Sequence, residues 1–68
     1  MNIERITDVL KNKFKVDGFK EQNKLTKEYL FLSGENILVV AEVDNRIYVK
    51  IQMPNGIQSP HGWISLVN

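Results

Sequence analysis

From Arg46 to Met53 the chain alternates without a break, with Ile47, Val49, Ile51 and Met53 set against Arg46, Tyr48, Lys50 and Gln52. Successive side chains of a strand point to opposite faces, so this period of two predicts a strand with one buried and one wet face. Before it, Ile37 to Val43 is β-branched and nearly continuous in apolar character, and Glu28 to Leu32 is a shorter run of the same kind. Ser33-Gly34-Glu35-Asn36, Asp44-Asn45 and Pro54-Asn55-Gly56 separate these runs with residues suited to tight turns. Trp63 to Val67 closes the pattern as a last strand or a short helical turn. Short strands joined by tight turns imply an antiparallel meander.

The N-terminal segment has a different period. Ile3, Ile6, Val9, Leu10 and Phe14 recur at helical intervals, Asn2 can cap them, and Glu4 falls in the first turn, where the helix dipole favours an acid. One amphipathic helix over residues 3–14 is expected, with Gly18 as a stop. Its polar face, Glu4, Arg5, Asp8, Lys11 and Asn12, mixes signs, which suits a helix packed on a core better than one lying on a membrane. Val16 to Lys27 is polar apart from Val16, Phe19 and Leu25, and is expected to be a long loop or a loose hairpin. The expected class is α+β tending to mainly β, in one domain over residues 1–68: a helix to about residue 14, then a small antiparallel barrel or sheet. A closed barrel removes the two exposed edges of a meander, while the alternative is a helix packed on an open four-stranded meander.

Size limits the means of stabilisation. At 68 residues with no cysteine and one histidine, the chain lacks both a disulfide and the usual ligand set of a structural zinc site, so packing or a partner must stabilise it. The hydrophobic share of 43% and charged share of 25% are those of a globular domain rather than a disordered one. The longest unbroken apolar run, Ile37 to Ala41, is far short of the ~18–20 residues of a membrane span. Met1-Asn2-Ile3-Glu4-Arg5 has no apolar stretch of the secretory type, so a cytoplasmic protein without membrane association is expected.

The segment Glu28-Tyr29-Leu30-Phe31-Leu32-Ser33-Gly34-Glu35 resembles the SH3 pattern Glu-Leu-Ser/Thr-Phe-x-x-Gly-Asp/Glu, and Asn36-Ile37-Leu38-Val39-Val40 is similar to the apolar strand that follows it in that family. Gly62-Trp63-Ile64-Ser65-Leu66-Val67-Asn68 resembles the closing Gly-Trp-Ile/Phe-Pro-Ser-Asn-Tyr-Val, Asp44-Asn45 sits where a variable turn would be, and Val16-Asp17-Gly18-Phe19 lies near the start of the family's Ala-Leu-Tyr-Asp-Tyr segment. The resemblance covers residues 15–68 and implies an SH3-like five-stranded barrel behind an added helix. It departs at the residues that hold polyproline ligands. The paired tryptophans of the family are replaced by Arg46-Ile47 or Ile47-Tyr48, according to register, the closing proline by Ser65 and the tyrosine by Asn68; Phe19 keeps one aromatic. An SH3 groove grips its ligand with stacked aromatics, so PxxP binding by the usual mode is not expected.

No residue pattern points to catalysis or to a cofactor. His61 lies in Ser59-Pro60-His61-Gly62-Trp63 without the strand-turn-helix setting of an activated serine, and is expected to be an exposed loop histidine. Glu35, Glu42 and Asp44 are expected to be solvated turn acids rather than an acid/base pair. The four glycines are scattered singly, which excludes a phosphate-binding loop. Trp63, the sole tryptophan, is expected to pack in the core with Phe14, while the alternative places it in an interface.

Two classes of function remain, with an enzyme assembled at an oligomer interface a distant third. The first is a non-enzymatic protein-interaction module, monomeric or homodimeric, with Arg46, Tyr48, Lys50, Phe19, His61 and Trp63 as candidate partner-binding residues. The richness in Lys, Asn and Ile is common in AT-rich bacterial and phage genomes and suggests, within this class, a small accessory factor or inhibitor. The second is nucleic-acid binding through the Arg46, Tyr48 and Lys50 face and the N-terminal half, which carries seven bases and four acids up to Lys27. Against it stand a net charge of only +1 and the interleaving of bases with acids.

Overall fold

The computed structural model describes residues 3–55 and 62–66. Helix α1 (Ile3–Lys11) is followed by five strands, β1 (Gly18–Asn23), β2 (Glu28–Ser33), β3 (Asn36–Val43), β4 (Arg46–Gln52) and β5 (Ile64–Leu66). Every strand pairs antiparallel with its chain neighbour, in the order β1-β2-β3-β4-β5. The described residues thus form one short helix on a five-stranded antiparallel sheet. Among the described residues β1 and β5 do not pair with each other, so the sheet is open. The barrel closure implied by the SH3 resemblance is absent there, and the open meander holds with five strands instead of four.

Helix α1 ends at Lys11, one turn earlier than its apolar spacing predicts, although the Phe14 N–H still donates to the Leu10 carbonyl at 2.8 Å. That bond keeps Phe14 against the core. Ile6 and Leu10 of the helix are fully buried against Phe31, Leu38, Val40, Ile47, Val49 and Leu66. Burying a side chain of this type stabilises by ~1.5–3 kcal/mol, so the helix is held by its apolar stripe more than by its own nine-residue length.

The turns explain the register. Ser33 pairs with Asn36 across Gly34-Glu35, where Gly34 alone has a positive φ (59°), the pattern of a type II′ hairpin. Val43 pairs with Arg46 across Asp44 (φ 51°) and Asn45 (φ 65°), the pattern of type I′. The segment expected to be a loop or loose hairpin becomes β1 and a four-residue connection in which the Asn23 side-chain oxygen accepts N–H bonds from Leu25 and Thr26. A register shift between Phe19 and Glu21 kinks this polar edge strand, and both features discourage another chain from pairing there. The linker before β1 is tied down by Asp17, whose N–H donates to the Leu32 carbonyl (2.8 Å) and whose Oδ2 accepts the Gly34 N–H (2.6 Å). The Asn2 cap, Gly56, His61, Val67 and Asn68 lie outside the described residues.

Candidate interaction face

Directly paired residues of antiparallel strands share a face. Ile47 and Val49 point at the helix, and the register carries Leu66 and Ile64 to the same side. Tyr48, paired with Ala41 on one side and Ser65 on the other, therefore projects to the opposite face. Continuing the register by one residue sets Trp63 beside Lys50, and the Lys50 ammonium lies 4.5 Å from the centroid of the indole ring.

Trp63 is thus not the core residue expected from its size. It is 41% exposed and stands outside the buried cluster, because Ile64 and Leu66 take the inward positions of β5 and leave Trp63 the outward parity. Met53, expected to continue the buried side of β4, lies past the end of that strand and is exposed. Phe19 is not brought to Trp63 either. It pairs with Phe31 and stacks edge-on against that ring at 5.4 Å, with Tyr29 at 6.5 Å, on the helix side of the sheet. Of the six candidate partner-binding residues, the structure gathers Tyr48, Lys50 and Trp63, sets Arg46 on the same face at its exposed end, and puts Phe19 on the other.

Ala41, Val43, Tyr48 and Trp63 line an open hollow of about 410 Å³. It exists because Ala41 is a small residue among three large ones. The lining is apolar except for the phenol of Tyr48, so it suits an apolar side chain from outside better than a charged substrate. Ala41 and Val43 are absent from the residues that sequence reasoning singles out. Their signal was the unbroken run Ile37 to Ala41, with Val43 beyond Glu42: a strand apolar at successive positions is apolar on both faces. Val39 shows the consequence, being only 5% exposed while lying outside the cluster under the helix. The wet face inferred from β4 alone is therefore apolar across β3.

Among the described residues, no group of three or more His, Cys, Asp or Glu side chains is placed to hold a metal ion, and no helix is long and apolar enough to cross a membrane. Comparison with known proteins finds no matching family model, curated protein or solved structure.

Proposed function

We propose that the protein is a non-enzymatic interaction module of the cytoplasm and that it binds protein through the sheet face opposite the helix. The observation that carries this is the Tyr48–Trp63 hollow, a half-buried tyrosine beside an exposed tryptophan with an apolar floor and bases at its border. Tyr, Trp and Arg dominate the energetics of protein interfaces, and a large apolar patch on a small domain marks a docking site. The partner chemistry that fits is an apolar patch bordered by acids. Within this proposal the chain is a divergent SH3-like sheet: the Glu28–Glu35 motif forms β2 and its Gly34 turn, and Gly62-Trp63-Ile64 leads into β5. The missing groove aromatics argue for a ligand other than PxxP.

The test is quantitative capture of partners by the wild type and by Trp63→Ala, with Leu25→Ala, at the 96% exposed tip of the first hairpin, as a control. A partner lost with the first variant and retained with the second supports the face. Equal capture by all three overturns it.

A second reading, single-stranded nucleic acid stacked on Tyr48 and Trp63, is favoured by the bases beside these rings. It is weakened by Lys50, which already covers one face of the indole, and by Glu28, which shares the face. Binding whose log affinity falls steeply with log salt would favour it, and no binding at low salt would exclude it.

A further inference from the structure

The apolar face has a charge gradient across its strands. One row of paired residues runs Glu21, Leu30, Val39, Lys50 from β1 to β4, and the next runs Glu28, Ala41, Tyr48 from β2 to β4. Of the charged residues that the pairing places on this face, the acids Glu21 and Glu28 stand at the β1–β2 side and the bases Lys50 and Arg46 on β4, with apolar side chains between them; Lys20 falls at the register shift of β1, and Lys24 and Lys27 in the connection beyond it. Leu32 and Val43 on this face are 40% and 53% exposed. Helix α1 packs on the opposite side, and Val39, in the middle of this face, is only 5% exposed beneath its neighbours.

Resting on the proposal that this face is the binding surface, we infer that its occupant is a second copy of the same chain, packed sheet to sheet about a two-fold axis parallel to β3. The partner chemistry required is an apolar patch bordered by acids, and the protein itself presents one. A face-to-face pair needs its two-fold axis in the plane between the sheets, which leaves two simple choices. An axis across the strands lays β4 on β4 and brings bases against bases. An axis along β3 lays the β4 side of each copy on the β1–β2 side of the other, so that Lys50 and Arg46 meet Glu21 and Glu28 twice over. Like charges oppose association and opposite ones favour it, so the gradient selects the second.

The area reaches the lower range of specific interfaces. About 30 strand residues, at ~3.3 Å by ~4.8 Å each, span about 475 Å² in projection, and the relief of the side chains raises the accessible area toward the ~600 Å² per partner of a small specific interface. Sheets packed this way align within ~30°, as in sandwiches.

Sedimentation equilibrium of the full chain over a concentration series tests the inference. A dimer is expected. Lys50→Glu should weaken it by tenfold or more, and adding Glu21→Lys to that variant should restore it, because each new acid then faces a new base across the axis. Val43→Asp, at an exposed position, should give a folded monomer by circular dichroism. A wild type that stays monomeric to about 1 mM overturns the inference, and so does a dimer indifferent to Val43→Asp or one that the double substitution fails to restore. If the wild type is monomeric yet a captured protein is lost with Trp63→Ala, the binding face stands and only its self-association falls.

Discussion

The Lys50 ammonium sits over the indole of Trp63 at 4.5 Å from the ring centroid, joining β4 to the start of β5 across the face away from the helix. Strand β5 has only three residues, so this contact holds its entry where few ladder bonds do. A cation over an aromatic face at a partly exposed site contributes ~0.5–1 kcal/mol. A double-mutant cycle of Lys50→Met and Trp63→Leu, followed by urea unfolding, should return a coupling of that size. Zero coupling would mean that the two side chains stabilise the sheet independently.

Val49 and Val43 provide a contrast between faces. Val49 is fully buried under the helix, and Val43 is more than half exposed. Val49→Asp places an unpaired charge in the core, at a cost of ~3–5 kcal/mol, comparable to the whole stability expected of a domain this small. It should lose its circular dichroism signature. Val43→Asp should change stability by no more than ~0.5 kcal/mol. Native-like spectra from Val49→Asp would mean that the buried face is misassigned.

Asp17 holds the linker to the β2–β3 turn through its Oδ2 and the Gly34 N–H. The carboxylate is partly exposed, 41% for its side chain. Asp17→Ala should therefore cost ~1–2 kcal/mol, below the upper range for charged hydrogen bonds, and Asp17→Asn should recover part of that because an acceptor remains. Equal losses in both variants would show that charge, rather than the acceptor, holds the turn.

Gly34 has a φ of 59°, and nothing lies within 4 Å of the position its Cβ would take. Gly34→Ala therefore isolates the backbone cost, ~1–3 kcal/mol for an L-residue held at the positive φ of this turn position. A loss near zero would mean that the turn changes type on substitution, which amide exchange at Gly34 and Glu35 would report.

What the residues reveal in advance depends on how many neighbours decide each one. Strand β4 is legible because its alternation records a single sheet with one face on the helix. The Gly34 and Asp44-Asn45 turns are legible because positive φ restricts residue choice locally. Strand β1 is not, since its sequence GFKEQN sits at an edge with polar residues on both faces and shows no alternation. Trp63 misleads because size and hydrophobicity favour burial, while parity with Ile64 and Leu66 puts it outside. The hollow could not be seen from β4 alone, because its floor is Ala41 of β3 and its wall Val43.

The spatial order of the strands is their order along the chain. The first three strand pairings therefore close connections of only two to four residues, and no strand has to wait for a distant one to arrive. Low contact order of this kind goes with fast folding. Assembly can begin at the two-residue hairpin of β2 and β3 and spread outward, and either outer strand can detach without unthreading the rest.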